Sequence, residues 1–141
     1  MDPNRGQAPA PTEHGARQDA PGRSGRSVVL VVEDDADIRF TLCESLDESG
    51  YAAVGVSDGE EAFQALRDGL DPDLVVLDLM MPRMDGWLFL EKLRASPRHR
   101  GLPVLVASAA PDDHPPRASG WLPKPFHIDE FDRAVARLCR R

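Results

Sequence analysis

From residue 27 onward, the chain alternates short apolar runs with segments whose apolar residues recur at helical spacing. The runs are rich in β-branched residues and do not alternate with polar positions, which is typical of strands buried on both faces of a sheet. They predict five strands, at residues 28–32, 51–56, 74–77, 103–107 and 121–122.

The segments between these runs have the periodicity of amphipathic helices. Apolar faces are predicted from Ile38, Leu42 and Leu46, from Trp87, Leu90 and Leu93, and from Ile128, Phe131, Val135 and Leu138. A further helix is predicted to run from a cap at Ser57 or Asp58 through about Arg67. The alternation predicts an α/β fold, a doubly wound five-stranded parallel sheet of flavodoxin-like order 2-1-3-4-5.

The connection between the fourth and fifth strands breaks this alternation. It contains Pro111, Pro115 and Pro116 where a helix is expected. Because proline removes a backbone donor and its ring clashes with the preceding helical turn, we predict that the fourth helix of the alternation is shortened or missing.

Composition divides the chain into two parts. Residues 1–26 contain four Pro and four Gly but no Leu, Ile, Val or Phe, so they cannot bury enough apolar surface to offset the entropy of ordering. We therefore predict a disordered N-terminal tail at residues 1–26 and one folded domain at residues 27–141. No run approaches the roughly 20 apolar residues of a membrane span, so we expect no membrane insertion and a cytoplasmic location.

The predicted domain is acidic. Residues 27–141 hold 13 Lys and Arg against 21 Asp and Glu. Protein contacts with nucleic acid phosphates need clustered cationic side chains. We therefore do not expect a nucleic acid as a direct partner.

Ionisable and hydroxyl side chains stand at the carboxyl ends of four predicted strands: Glu33, Asp34 and Asp35, then Asp78, Ser108 and Lys124. In a parallel sheet these ends share one edge, where ligands bind. Carboxylates gathered there repel one another unless a cation intervenes, and Mg²⁺ or Mn²⁺ suits oxygen ligands. A lysine adds a compact positive charge for a phosphoryl oxygen. The pattern predicts a site for a divalent cation and a phosphoryl group, with Asp35 expected to cap the first helix.

Three blocks of sequence carry a family resemblance. Residues 31–39 read Val-Val-Glu-Asp-Asp-Ala-Asp-Ile-Arg, residues 77–86 read Leu-Asp-Leu-Met-Met-Pro-Arg-Met-Asp-Gly, and residues 124–126 read Lys-Pro-Phe. In this order the blocks resemble the receiver domain of bacterial two-component response regulators, of the stand-alone, single-domain type. The resemblance covers residues 27–141.

The resemblance implies an acceptor and its metal ligands. Asp78 matches the aspartate that accepts a phosphoryl group from a histidine kinase or a histidine phosphotransfer protein. Asp34 matches the direct Mg²⁺ ligand, and Glu33 matches the second acidic residue, which commonly acts through water. The backbone carbonyl of Met80 matches the third ligand from the protein.

The resemblance also implies residues that respond to the phosphoryl group. Ser108 matches the hydroxyl residue that follows this group, and Lys124 matches the phosphate-binding lysine, with a cis bond to Pro125. Trp121 occupies the place of an aromatic switch residue, which is more often Tyr or Phe. The alternative for Trp121 is a partly buried packing residue without a switching role.

The expected function is a phosphorylation-dependent signalling switch that catalyses only its own Mg²⁺-dependent phosphotransfer and dephosphorylation. A downstream protein is the expected target, either through docking or through a phosphorelay. Because the connection before the fifth strand departs from the family pattern, we expect a monomer or a non-standard dimer. The alternative is a phosphorylation-independent docking module built on the same fold. An aspartyl-phosphate phosphatase is less favoured, because Met80 stands where such enzymes usually carry a second Asp.

Overall fold

The computed structural model describes residues 25–81, 85–109 and 117–139. Within them, five parallel strands form one sheet in the order β2-β1-β3-β4-β5. The strands are β1 Val28–Val32, β2 Ala52–Val56, β3 Leu74–Leu77, β4 Val104–Ser108 and β5 Gly120–Pro123. The predicted fold class and strand order are confirmed.

The helices begin close to the carboxyl edge of the sheet. They are α1 Ala36–Glu48, α2 Gly59–Arg67, α3 Gly86–Ala95 and α4 Ile128–Leu138. Asp35, Asp58 and Asp85 accept hydrogen bonds from backbone N–H groups in the first turns of α1, α2 and α3, so side chains fix where these helices start. In the described part of the chain, no helix is long and apolar enough to cross a membrane.

Two apolar cores cover the two faces of the sheet. On one face, Leu42 and Leu46 of α1 and Phe131 and Val135 of α4 pack on residues of β1, β3 and β4. On the other face, side chains of α2 and α3 pack on alternate residues of the same strands. Because both faces are covered, β1, β3 and β4 are almost entirely buried. This burial explains why the strands read as continuous apolar runs.

The element boundaries agree closely with the sequence predictions. The predicted strands at 28–32 and 74–77 coincide with β1 and β3, and the other three differ by one residue at one or both ends. The second helix is capped by Asp58 and ends at Arg67, as predicted. The expected cap at Asp35 is also confirmed.

Two predicted core positions were wrong. Trp87 is 39% exposed and Ile128 is 38% exposed. The buried residues of α3 are Gly86, Phe89, Leu90 and Leu93. At 3.6 residues per turn, the spacing from Trp87 to Leu90 to Leu93 drifts around the helix, so Trp87 falls at the edge of this stripe. Ile128 is the first residue of α4, whose buried residues are Phe131, Ala134 and Val135.

The connection between β4 and β5 contains no helix among its described residues, Ala109 and 117–119. Residues 110–116, on which most of the prediction of a shortened or missing helix falls, lie outside the described residues. The same holds for residues 1–24, so the predicted disordered tail at 1–26 stays a prediction.

Gly86 allows α3 to begin against the loop that follows β3. Its N–H donates to the carbonyl oxygen of Leu79 over 3.1 Å. A Cβ atom at Gly86 would lie 2.4 Å from the carbonyl oxygen of Asp78 and 2.6 Å from the Cα of Leu79. Both atoms belong to the backbone, which cannot rotate away as a side chain can. The absence of a side chain at Gly86 therefore sets how closely α3 approaches Asp78.

We expect Gly86→Ala to lower the free energy of unfolding by about 1–3 kcal/mol, because the added methyl group forces the two backbones apart. Gly101→Ala is the matched control, since a Cβ atom there meets nothing within 4 Å, and it should change stability by less than about 0.5 kcal/mol. Urea unfolding followed by circular dichroism measures both. Equal stability of the two variants would show that the loop after β3 yields easily.

Candidate functional site

The structure brings four of the predicted site residues together at the carboxyl edge of the sheet. Glu33 and Asp34 follow β1, Asp78 follows β3 and Lys124 follows β5. Carboxylate oxygens of Glu33, Asp34 and Asp78 lie within 4.8 Å of one another. Register explains the meeting, because Val32 lies beside Leu77 in the sheet and each acidic residue comes next along its strand.

Lys124 is the cation beside these carboxylates. Its Nζ lies 2.8 Å from Oε1 of Glu33 and 3.7 Å from Oδ2 of Asp78. Glu33 is 3% exposed and Asp78 is 5% exposed, so little water screens the charges. The peptide bond between Lys124 and Pro125 is cis, as the family resemblance implies. The site therefore holds one ammonium group against three carboxylates.

Burial raises the pKa of Asp78 to about 6. The negative charge of Glu33 acts in the same direction. Two contacts oppose the increase in pKa: the N–H of Met80 donates to Oδ1 of Asp78 over 3.1 Å, and Lys124 faces Oδ2. The Asp78 carboxylate is thus costly to ionise in the metal-free protein, which is the condition that a bound cation relieves.

The loop from β1 to α1 is held by hydrogen bonds on both sides of Asp34. The N–H of Glu33 donates to the carbonyl oxygen of Val56, and the N–H of Asp35 donates to Oε2 of Glu33 over 3.2 Å. With Lys124 on Oε1, both carboxylate oxygens of Glu33 have partners inside the protein. Asp34 is exposed, so its carboxylate faces solvent at the mouth of the site.

The remaining predicted residues are Ser108 in β4, Met80 after β3 and Trp121 in β5. Ser108 ends β4, is fully buried and accepts a hydrogen bond at its carbonyl oxygen from the N–H of Lys124. Met80 is 64% exposed in the loop after Asp78. Trp121 pairs with Val106 inside the sheet and packs on the α2–α3 core, three residues before Lys124. The switching role of Trp121 stays a prediction.

Sequence reasoning missed two contacts that shape the site. It predicted Glu33 as a metal-associated residue but not as the close ionic partner of Lys124. It also gave no role to Arg39, whose Nη1 donates to the carbonyl oxygen of Glu33 over 2.8 Å. A cation one turn into the first helix was visible in the sequence, but nothing there indicated that it reaches back to the loop.

The chemistry of the donor set fits a divalent cation. Three carboxylates in one cluster supply the hard oxygen ligands that Mg²⁺ prefers, and Mg²⁺ is usually held by one or two carboxylates with several waters. The exposure of Asp34 leaves room for those waters at the mouth of the site. Lys124 remains beside Asp78 as a second positive group. The arrangement can therefore bind an anionic group between a cation and a lysine.

Comparison with known proteins identifies similar sequences. The response regulators named MprA from Mycobacterium sp. (strain KMS) and Mycobacterium leprae are each 38% identical to this chain, over 120 and 121 residues. These matches cover 80% of this chain and 50% and 51% of the relatives. The chain thus spans about half the length of the curated relatives it matches.

Solved structures show the same fold. The chemotaxis response regulator CheY4 of Vibrio cholerae superposes with a TM-score of 0.71 at 27% identity, covering 80% of this chain and 98% of that one. The response regulator TrrA of Thermotoga maritima, in complex with Mg(2+)-BeF, gives 0.71 at 30% identity, covering 79% and 98%. The family model of the response regulator receiver domain matches residues 29–136. The chain therefore belongs to the response regulator receiver domain family.

Proposed function

We propose that this protein is a phosphorylation-dependent signalling switch that accepts a phosphoryl group on Asp78. One observation carries the proposal: the buried Asp78 carboxyl group belongs to an acidic cluster suited to a divalent cation and also has the ammonium group of Lys124 3.7 Å away. A carboxylate between two cationic groups can approach an anionic phosphoryl donor that it would otherwise repel. The donor is a histidine kinase or a histidine phosphotransfer protein.

Each residue of the site has a role in this proposal. Asp34, Asp78 and the backbone carbonyl of Met80 would hold Mg²⁺ or Mn²⁺ directly, and Glu33 would act through water. When bound, the cation supplies positive charge that offsets the carboxylates and the phosphoryl oxygens. The complex of TrrA with Mg(2+)-BeF supports a divalent cation here as well.

The transfer step needs an ionised acceptor. With a pKa of about 6, Asp78 is mostly a carboxylate at neutral pH. One of its oxygens attacks the phosphorus of a phosphohistidine, the phosphorus–nitrogen bond breaks, and its electron pair stays on the imidazole. Lys124 attracts a phosphoryl oxygen, and the Ser108 hydroxyl donates to another in the phosphorylated state. The products are an aspartyl phosphate on this chain and a free histidine on the donor.

The phosphorylated protein signals through contact with a downstream protein. The alternative is a docking module that does not need phosphorylation. The observation in its favour is the sequence of the β4–β5 connection, which has Pro111, Pro115 and Pro116 where a helix is expected. In either case we propose a monomer or a non-standard dimer, because the sequence before β5, with Pro111, Pro115 and Pro116, departs from the pattern of the family.

We expect the protein to gain one phosphoryl group when incubated with Mg²⁺ and a small phosphodonor such as acetyl phosphate. Intact-mass spectrometry detects the gain, and hydroxylamine should remove it, since it cleaves acyl phosphates. Asp78→Asn should gain nothing, because the amide keeps the size of the side chain and lacks the nucleophile. Glu44→Gln, which removes an exposed carboxylate in the middle of α1, should label like the parent.

Labelling of Asp78→Asn to the level of the parent would place the acceptor elsewhere. If neither protein gained a phosphoryl group, and Asp78→Asn kept the function of the parent in cells, the docking module would be the correct description.

We also expect the cost of ionising Asp78 to appear as a pH-dependent difference in stability. Because the folded-state pKa of Asp78 lies above its ordinary value of 3.8, the parent loses stability as the pH rises from about 4 through 6, relative to Asp78→Asn. In the presence of a chelator at pH 7.5, Asp78→Asn should be the more stable by on the order of 2 kcal/mol. Chemical unfolding at several pH values measures the difference, which should shrink towards zero near pH 4.

Saturating Mg²⁺ should reverse this order, because a ligand of the folded state stabilises the protein that binds it more tightly. If the parent were as stable as Asp78→Asn at pH 7.5 without metal, ionising Asp78 would not destabilise the folded protein. An equal effect of Mg²⁺ on both proteins would mean that Asp78 is not a ligand.

A further inference from the structure

Arg39 reaches from α1 back to the loop that carries the acidic residues. Its Nη1 donates to the carbonyl oxygen of Glu33 over 2.8 Å, and its stem lies over Gly55 of β2. A Cβ atom at Gly55 would lie 3.0 Å from Cγ and 3.2 Å from Cδ of Arg39. The glycine thus leaves the space that the arginine stem occupies. Neither residue belongs to the cluster of carboxylates, and the proposed function gives neither of them a role.

This hydrogen bond fixes the peptide unit that precedes Asp34. On one side of the Glu33 Cα, the N–H of Glu33 donates to Val56, and on the other side its carbonyl oxygen accepts from Arg39. Because a peptide unit is planar, fixing the Glu33 carbonyl also fixes the direction in which the chain enters Asp34. The Asp34 side chain is exposed, so packing holds it less tightly than it holds Glu33 or Asp78. The backbone is therefore the main constraint on the position of the Asp34 carboxylate.

We propose that Arg39 is a positioning residue for the divalent cation: it orients the Glu33–Asp34 peptide unit and thereby holds the Asp34 carboxylate where it meets Asp78. The inference rests on the proposed function, because it assigns a role within the same cation site. It goes beyond that function by giving the site a support that makes no contact with the metal.

The charge of Arg39 and its hydrogen bond have opposite effects on the affinity of the site for a divalent cation. Two hydrogen bonds from Ser57 lower the pKa of Glu61, and the positive charge of Arg39 contributes to the decrease. A positive charge near the site repels a divalent cation, so removing the charge of Arg39 without moving the Asp34 carboxylate would tighten cation binding. Displacement of the Asp34 carboxylate would weaken cation binding. The sign of the change in affinity therefore separates the two roles.

Calorimetric titration of the purified protein with Mg²⁺ tests this inference. We expect Arg39→Met to bind Mg²⁺ about three- to tenfold more weakly than the parent, which is the range for the loss of one hydrogen bond. Arg39→Lys should fall between the two, because lysine can donate one hydrogen bond but lacks the planar fork of arginine. Arg67→Met is the matched control. The substitution removes the same charge from an exposed residue at the end of α2, away from the site. It should bind Mg²⁺ like the parent.

Gly55→Val supplies a second variant that keeps the charge of Arg39 and fills the space of its stem. It should weaken Mg²⁺ binding in the same direction as Arg39→Met, and it decides the matter if Arg39→Met fails to fold in chelator. Unchanged or tighter binding by the folded Arg39 variants overturns the inference while leaving the proposed function intact. A parent that does not bind Mg²⁺ overturns both the inference and the cation part of the proposed function.

Discussion

The repulsion among three carboxylates at one edge of a parallel sheet is the constraint on which the rest of this structure depends. Carboxylate oxygens of Glu33, Asp34 and Asp78 are held within 4.8 Å by adjacent strands. The register of these strands cannot slip by one residue without moving every core side chain to the opposite face of the sheet. The two apolar cores stabilise an arrangement that the charges alone oppose. Burial raises the pKa of Asp78, and the negative charge of Glu33 adds to the increase. A bound cation would offset the negative charge that the fold gathers at this edge.

Lys124 follows β5, the edge strand of the sheet, and its ion pair with Glu33 spans 91 positions of sequence. The position of β5 is secured even though its connection to β4 has no helix in the described residues. Ser119 exchanges hydrogen bonds with Val104, its N–H donating to the carbonyl oxygen and its Oγ accepting from the N–H. The guanidinium group of Arg94 donates to the carbonyl oxygens of Arg117 and Leu102. These contacts connect the residues just before β5 directly to β4 and α3.

The sequence predicted most of the fold because continuous apolar runs and caps act locally. Asp35 and Asp58 could be recognised as caps, since their partners lie two or three residues away. The site residues could be gathered at one edge because parallel strands share their carboxyl ends. Contacts that depend on tertiary packing escaped prediction. The hydrogen bond from Arg39 to Glu33 required knowing that α1 leans over Gly55, and the exposure of Trp87 depended on which stripe of α3 the sheet covers.

Strand β5 and the residue after it combine ion pairs at the site with apolar packing on the core. Lys124 directly follows this strand and forms ion pairs with Glu33 and Asp78. Three residues earlier, Trp121 packs on the α2–α3 core, where apolar contact fixes its position. Because Lys124 directly follows the strand that contains Trp121, the two residues share one short stretch of backbone. A movement of Lys124 would therefore also act on a large, partly buried side chain that packs on the core, and such packing favours either no movement or a discrete one.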